Sequence, residues 1–270
     1  MGLAALLTAV TIATLTPHEK AAALVVTTQS PRVFYGAAGI TFADQEGGDV
    51  KAFANLPPHR APSEIRSVQT ASRSGRATAT ALRRRGVQVD FAPVLDTADG
   101  PLVSRQFRRL ELGVAFARGL GRAACVKHFP GLGSTAFSTD VRPHVDGRVR
   151  PRDLAPFRAA IRAGVPCVMV GHAFYPSLGR LRASLEPKTY RLLRSLGFDG
   201  VAITDSLSIV RAAPVERWSR QAVRAGADLL LVTSPAHAVR AIRALEPLAR
   251  RGELDVHVAR VLRYRRLVGR

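Results

Sequence analysis

The chain carries the stretch Lys127-His128-Phe129-Pro130-Gly131-Leu132-Gly133 directly after a short apolar run, Ala123-Ala124-Cys125-Val126. The apolar run has the composition of a buried strand, and the proline and glycines that follow interrupt regular structure. An isolated Lys-His pair would most simply form one ion pair and one loop contact. Here two more strand ends carry polar clusters, which favours a functional site at the ends of strands: Asp44-Gln45-Glu46-Gly47-Gly48 and Thr204-Asp205-Ser206-Leu207.

Strand-like segments alternate with helix-like segments of ten or more residues, which is the pattern of parallel βαβ units. Seven such strands can be counted, and polar residues recur at their C-terminal ends. This recurrence favours a TIM-like (β/α)8 barrel with one site at its top face. An open doubly wound sheet is the alternative. No glycine-rich dinucleotide fingerprint follows an early strand, however, and the acids before Gly47-Gly48 would repel a pyrophosphate.

The chain has 270 residues and a net charge of +20, nearly all of it from arginine. Such a charge attracts polyanions. The arginines are scattered along helix-like segments, and only four tyrosines and one tryptophan accompany them. Single-strand nucleic-acid sites need aromatic platforms between the basic residues. We therefore expect a solvated arginine-rich surface and no specific nucleic-acid partner.

The first 15 residues form an apolar segment with the length of a signal-peptide core. It lacks preceding basic residues and a small-residue cleavage site, and it is short for a bilayer span. It fits a truncated signal or anchor, or a first apolar helix, so the compartment is left open and no firm membrane association is predicted. Residues 16–270 are expected to form one domain, starting with a helix at Thr16-Pro17.

Two cysteines lie in apolar strand-like runs and are interpreted as buried thiols: Cys125 and Cys167. The seven histidines show no paired spacing with cysteines or carboxylates. No metal site and no cofactor are predicted, and the oligomeric state is left open.

Four blocks in this order and spacing resemble the signature blocks of glycoside hydrolase family 3, in its branch of single-domain bacterial β-N-acetylglucosaminidases. The resemblance extends from about Thr16 to the C-terminus. It implies a barrel whose pocket holds one sugar ring and releases a terminal β-linked N-acetylhexosamine, with peptidoglycan-derived fragments as the carbohydrate substrate. The blocks are Asp44-Gln45-Glu46-Gly47-Gly48, Phe91-Ala92-Pro93-Val94-Leu95-Asp96, Lys127-His128-Phe129-Pro130-Gly131 and Gly197-Phe198-Asp199-Gly200-Val201-Ala202-Ile203-Thr204-Asp205.

The resemblance also implies roles for individual residues. Asp205 resembles the nucleophile, which forms a covalent glycosyl-enzyme and makes the reaction retaining. Asp44 resembles the carboxylate that accepts bonds from sugar hydroxyls. The remaining substrate-binding positions implied by the resemblance are Lys127, His128, Arg105 and His172.

The sequence departs from the family pattern in the loop after the Lys-His strand. The family carries a histidine after the glycine and then an Asp-Ser-His triplet, whose histidine is the general acid/base. Here the corresponding residues are Leu132 and Ser138-Thr139-Asp140. Loss of a general acid typically costs about two to four orders of magnitude in rate. Asp140 is the first candidate for a replacement proton donor, and His144 is the second.

The second departure is a short connection before Asp44. The family has a strand and a helix there, and only Gln29 to Ala38 fill the gap in this chain. One βα unit is therefore expected to be missing or degenerate, so that the barrel either closes with one strand fewer or is completed by a neighbouring segment. Two other functions stay open: a catalytically impaired sugar-binding relative, and a basic polyanion-binding protein on the same barrel.

Overall fold

The computed structural model describes residues 12–36, 38–208 and 214–269. Most of the apolar N-terminal segment, residues 1–11, lies outside these ranges. The first complete helix is α1 (Pro17–Ala23), and Thr16 caps it: the Glu19 N–H donates to the Thr16 hydroxyl and the Thr16 N–H donates to the Glu19 carboxylate. The predicted helix start at Thr16-Pro17 is confirmed. No helix in the described ranges is long and apolar enough to cross a membrane.

Ten strands are formed within the described residues. They are β1 (Val25–Ser30), β2 (Val33–Gly36), β3 (Ile40–Ala43), β4 (Gln45–Gly47), β5 (Val50–Lys51), β6 (Val89–Asp90), β7 (Cys125–Phe129), β8 (Cys167–Val170), β9 (Val201–Thr204) and β10 (Leu230–Val232).

Helices alternate with the later strands, as the sequence predicts. They are α2 (Val68–Arg84), α3 (Leu110–Leu120), α4 (Pro151–Arg162), α5 (Pro187–Ser195), α6 (Val215–Ala225), α7 (Pro235–Arg250) and α8 (Asp255–Val268). Most of them show one buried and one exposed face, and their exposed faces carry the scattered arginines.

The strands are arranged in two main sheets and one small hairpin. Five strands pair in the order β10-β1-β2-β3-β6, three pair as β7-β8-β9, and β4 pairs with β5 alone. Isolated parallel bridges link the two main sheets at both edges, Asp90 to Ala124 on one side and Ile203 to Leu229 on the other. The seven strands counted from the sequence run parallel to one another. Their C-terminal ends therefore share one face.

The short connection before Asp44 contains an eighth strand, which corrects the count of seven. Strand β2 pairs antiparallel with β1 on one side and with β3 on the other. A two-residue turn joins β1 to β2, so ten residues suffice for a strand although they cannot supply a strand and a helix. Among the described residues of this connection, 29–36 and 38, no helix is formed, and β2 itself lies between β1 and β3.

Apolar side chains fill the space between strands and helices. Phe91 lies at the centre of an aromatic group, 5.0 Å from Phe42 and 5.5 Å from Phe34 between ring centroids. The two cysteines are part of the same core, but they are not thiols as the sequence suggested. Cys125 and Cys167 occupy paired positions on β7 and β8 and are joined by a disulfide.

A buried ion cluster lies at the start of β10, away from the polar strand ends. Asp228 is fully buried, and its carboxylate accepts from Arg194 (2.9 Å), Arg260 (2.5 Å), His257 (2.9 Å) and the Ala202 N–H (3.0 Å). This cluster ties α5 and α8 to β9 and β10.

Removing the Asp228 carboxylate should leave two guanidinium groups without their buried counter-ion. We expect Asp228→Ala to lower the free energy of unfolding by about 3–5 kcal/mol, measured by urea denaturation at pH 7. Asp49→Ala is the matched control, because Asp49 is exposed. A loss below about 1 kcal/mol in Asp228→Ala would contradict this interpretation.

Candidate active site

The ammonium group of Lys127 lies between two carboxylates from the segment that follows β3. Its Nζ is 2.7 Å from Asp44 Oδ1 and 2.6 Å from Glu46 Oε1. Asp44 follows β3 directly, Glu46 belongs to β4, and Lys127 is in the middle of β7. Glu46 also accepts both arms of the Arg105 guanidinium at 2.8 Å each. The four side chains therefore form one network of charge-assisted bonds.

Burial disfavours ionisation of Glu46, whose side chain is 0% exposed. The neighbouring Lys127 and Arg105 outweigh that effect and lower its pKa to about 2. Burial likewise opposes the charge of Lys127, and the carboxylates of Asp44 and Glu46 raise its pKa above the ordinary value. The network is charged at neutral pH. Asp44 is only half-buried, so part of its carboxylate remains open to a ligand.

Gly47 permits the sharp turn that directs Glu46 inward. Its φ is +107°, and a Cβ atom there would lie 2.5 Å from the Arg60 carbonyl oxygen. Only glycine fits this position without displacing the loop.

Asp96 holds the second residue of the Lys-His pair. Its carboxylate is 2.7 Å from His128 Nδ1 and also accepts from the Leu132 N–H at 2.7 Å. Burial would lower the pKa of His128, but the Asp96 carboxylate beside it raises that pKa above its usual range. Because Asp96 occupies Nδ1, Nε2 is the ring nitrogen left for a ligand.

Asp205 follows β9 and is half-buried. Burial opposes its ionisation, but the imidazoles of His172 and His128, the Ser206 N–H and the ammonium of Lys127 hold its pKa below the ordinary value. These interactions indicate that the carboxylate faces the same group of side chains as Lys127. It is ionised at neutral pH, as a nucleophile must be.

His172 is fully buried behind this carboxylate. Its Nε2 is 2.8 Å from the Ser206 carbonyl oxygen, which can only accept, and its Nδ1 is 2.7 Å from the Ser184 hydroxyl. One proton on Nε2 therefore satisfies both contacts. Burial lowers the pKa of His172, and the Asp205 carboxylate opposes that effect.

The two candidate proton donors lie at the exposed edge of this group. Asp140 is 55% exposed, 3.4 Å from Arg105 Nη1, and it accepts from the Ser138 hydroxyl at 3.2 Å. The closed surroundings beside a second carboxylate that would favour a carboxylic proton donor are not found at this residue. His144 is 63% exposed, stacks on Phe174 with ring centroids 4.1 Å apart, and has its Nε2 3.3 Å from Asp146 Oδ1.

The larger cavities lie elsewhere. Cavities of about 410 and 430 Å³ are found near the N-terminal ends of the strands, and one of about 400 Å³ lies beside α5 and α6; none of the candidate site residues lines them. The charged side chains converge at the C-terminal ends of the strands. We therefore place the candidate site at these side chains and not at the largest cavity.

The sequence matches the family described as the glycosyl hydrolase family 3 N terminal domain over residues 9–264. The chain belongs to this family. A curated family 3 relative, the beta-hexosaminidase of Thiobacillus denitrificans, is 36% identical over 220 residues, which cover 70% of this chain and 61% of the relative. This chain thus spans less than two thirds of the length of that protein. The resemblance drawn from the four sequence blocks is confirmed.

Solved structures agree with the family 3 assignment. A family 3 β-N-acetylglucosaminidase from Paenibacillus sp. superposes with a TM-score of 0.76 at 31% identity, covering 84% of this chain and 50% of that one. LpqI of M tuberculosis gives a TM-score of 0.79 at 27% identity, covering 95% and 96%. The β-glucoside phosphorylase BglX gives 0.83 at 17% identity, a likeness of fold alone.

The structure brings seven of the eight sequence-predicted site residues of this family 3 chain into one group, and the eighth, His144, is linked to His172 only indirectly, through Phe174 and Arg182. It also adds residues for which the sequence analysis had assigned no role. Glu46 joins Lys127 to Arg105, and Asp96 orients His128.

Asp90 is buried near Glu46 and accepts from the Gln45 N–H at 2.9 Å. Burial, together with nearby Asp44 and Glu46, raises the pKa of Asp90 well above the ordinary value. The positions of Glu46, Asp96 and Asp90 at strand ends were the signal in the sequence that could have indicated a role.

The His128–Asp96 contact predicts a pH dependence of stability. A histidine whose folded pKa is raised stabilises the protein fully below its unfolded pKa, near about 6.5, and that contribution is lost as pH rises through the folded value. We expect the free energy of unfolding to fall above about pH 6.5, and to fall by more in the wild type than in Asp96→Asn. The variant lacks the carboxylate charge that raises the pKa of His128. Urea denaturation at pH 6 and pH 8 measures this difference. Equal slopes in the two proteins would contradict it.

Proposed function

We propose that this chain is a retaining glycoside hydrolase that releases terminal β-linked N-acetylhexosamine. The observation that carries the proposal is the position of Asp205 directly after β9, in the same parallel sheet as β7 with Lys127 and His128, and beside the buried His172, whose Nε2 contacts the Ser206 carbonyl oxygen. Family membership and the printed names of relatives support the sugar: beta-hexosaminidase for the curated proteins and β-N-acetylglucosaminidase for the Paenibacillus structure.

In the proposed reaction, Asp205 attacks the anomeric carbon and forms a covalent glycosyl-enzyme, which water then hydrolyses. The sugar ring is held by hydrogen bonds to the part of Asp44 left free by Lys127 and to Nε2 of His128. Arg105 is fixed by its two bonds to Glu46, so its remaining donors can approach the ring with little loss of side-chain entropy.

The natural substrates we propose are fragments of peptidoglycan that carry a terminal N-acetylglucosamine. This assignment follows the branch of family 3 that the sequence blocks resemble.

We also propose that the eight ring strands close into a TIM-like barrel in which antiparallel β2 replaces the lost βα unit. Support comes from the pairing of β2 with both neighbours and from the parallel bridges that link the two sheets at each edge. A barrel closed in this way has no unpaired strand edge.

The test of the activity is hydrolysis of a chromogenic N-acetylglucosaminide by the wild-type protein beside Asp205→Ala. Release by the wild type at a rate well above that of the variant is expected. Equal release by both proteins would remove the proposal.

Asp140 is the proposed proton donor, because it takes the place of the family's acid/base histidine in the loop after β7 and lies at the edge of the site, 3.4 Å from Arg105. We expect Asp140→Asn to lower kcat about 10²- to 10⁴-fold on a disaccharide, whose leaving group needs a proton. On an aryl glycoside with an acidic phenol the loss should be much smaller. His144→Gln serves as the comparison, and a larger loss in that variant would assign the role to the His144–Asp146 pair.

A second candidate function is sugar binding without turnover. The observation behind it is that Leu132 and Ser138, both buried, occupy family positions otherwise held by the histidine and the aspartate that orients the acid/base. Calorimetry that detects N-acetylglucosamine binding in a protein without activity on either type of glycoside would select it.

A further inference from the structure

A cavity of about 410 Å³ opens at the N-terminal ends of β8 and β9, at the opposite end of the strands from the candidate active site. Helix α8 forms one wall, and the segments that lead into the two strands form the other. Several apolar side chains line it, and they suit the body of a small organic molecule: Ile161, Val165, Pro166, Phe198 and Leu267.

Two residues that line this cavity each carry a buried polar atom without a hydrogen-bond partner among the described residues. The atoms are Nε of Arg260 and the hydroxyl oxygen of Tyr264. The two residues are four positions apart on α8, so they share one face of the helix. Burial raises the pKa of Tyr264, whose hydroxyl therefore keeps its proton and can donate. A buried donor without an acceptor costs free energy, and a ligand that supplies the acceptor recovers it.

Asp228 occupies only one end of the Arg260 guanidinium. Its carboxylate accepts from Nη1. The Nε and Nη2 hydrogens of a guanidinium point to one side and can hold a carboxylate through two parallel bonds. Neither of these two nitrogens of Arg260 has a partner in the described part of the chain. The Arg260 side chain is 21% exposed, so it is not sealed in the core.

The groups around the cavity carry a net positive charge. Asp228 is one buried carboxylate that faces two guanidinium groups, those of Arg194 and Arg260. Arg263 on α8 adds a third guanidinium to the lining, and the exposed Asp199 adds a second carboxylate. With the imidazole beside Asp228 counted as neutral, three positive charges against two negative ones leave a net charge of +1. This charge attracts a singly charged anion, whereas a doubly charged phosphate would exceed it.

We propose that this cavity is a second binding site, which takes a small apolar carboxylate with one carboxylate head on a body about the size of one ring. The head lies against the Nε and Nη2 edge of Arg260 and accepts from the Tyr264 hydroxyl. Arg263 adds its charge from the exposed side, and the apolar body packs on Phe198 and Val165. The site is independent of the proposed hydrolysis, since none of the residues proposed for catalysis or sugar binding lines the cavity.

The experiment uses phenylacetate as the probe and phenylacetamide as its neutral counterpart of the same shape. Calorimetry on the full chain at pH 7 should show phenylacetate binding with a Kd of about 1 mM or below, as expected for about ten heavy atoms. The amide should bind at least about tenfold more weakly, as for a lost charge-assisted bond. No binding of phenylacetate at about 10 mM, equal affinities of acid and amide, or tighter binding of phenyl phosphate would overturn the proposal.

Tyr264→Phe tests the site with little disturbance of the fold, because it removes only a hydroxyl that makes no bond to the described residues. Its unfolding midpoint without the probe should equal or exceed that of the wild type, since an unsatisfied buried group is lost. Its affinity for phenylacetate should fall about fivefold to tenfold, the effect of one hydrogen bond. Unchanged affinity in this variant would overturn the proposal.

Arg263→Gln removes the charge at the exposed side of the cavity. Its affinity for phenylacetate should fall about threefold to fivefold, as for an exposed ion pair. The matched control is Arg73→Gln, because Arg73 is exposed on α2, a helix that does not line the cavity, and its loss changes the net charge equally. Its affinity should remain within about twofold of the wild type. A loss of the same size in both variants would indicate general attraction of anions to a basic protein and would overturn the site.

Discussion

Replacing Asp205 by alanine is expected to lower kcat/KM for a chromogenic N-acetylglucosaminide by about 10⁴-fold or more. The glycosyl-enzyme ester cannot form without the carboxylate, and nucleophile removal in other enzymes costs losses of this order. The small side chain also leaves space beside the anomeric carbon. Added azide should enter that space and restore part of the activity, giving an α-linked glycosyl azide that NMR identifies.

The control for this change is Asp199→Ala, which removes an exposed carboxylate just before the same strand. Its activity should remain within about twofold of the wild type. A β-linked azide product, or full activity in Asp205→Ala, would exclude a covalent intermediate at this residue. Thermal unfolding of both variants shows whether any loss reflects folding.

Much of the fold could be predicted because its parallel units have strong local signals. Helices α5 and α6 begin and end where proline, glycine and apolar periodicity predict. Strand β2 was missed because its antiparallel pairing with β1 and β3 is a tertiary contact that no local pattern reports. The disulfide was missed for a similar reason, since the register of β7 against β8 alone brings the two sulfur atoms together.

The candidate site was predictable to the extent that its residues directly follow strands. Asp44 and Asp205 are such residues, and Lys127 was found through the glycines and proline after it. The roles of Glu46 and Asp96 depend on which cation each one faces, and that is set by packing between strands far apart in the sequence.

Replacing Lys127 by methionine should cost both stability and activity. The change keeps the length of the side chain and removes the ammonium that lies 2.7 Å from Asp44 and 2.6 Å from Glu46. Breaking a buried pair by removing one partner typically costs about 3–5 kcal/mol, because the remaining charges stay buried. We expect a loss of this size in the free energy of unfolding at pH 7, measured by urea denaturation, and hydrolysis reduced to near the background rate.

The pH dependence of the loss tests its electrostatic origin. In the wild type the low pKa of Glu46, about 2, contributes stability above the unfolded value of about 4.3, and that contribution is lost as pH falls toward 2. Without Lys127 the carboxylates can take up protons at higher pH, which relieves their repulsion. The stability difference between wild type and Lys127→Met should therefore be smaller at pH 4 than at pH 7. Lys188→Met, at an exposed position, should show no such change. A stability difference between wild type and Lys127→Met that stays constant with pH would indicate lost packing. It would also remove Lys127 as the counter-ion on which the sugar-binding carboxylates depend.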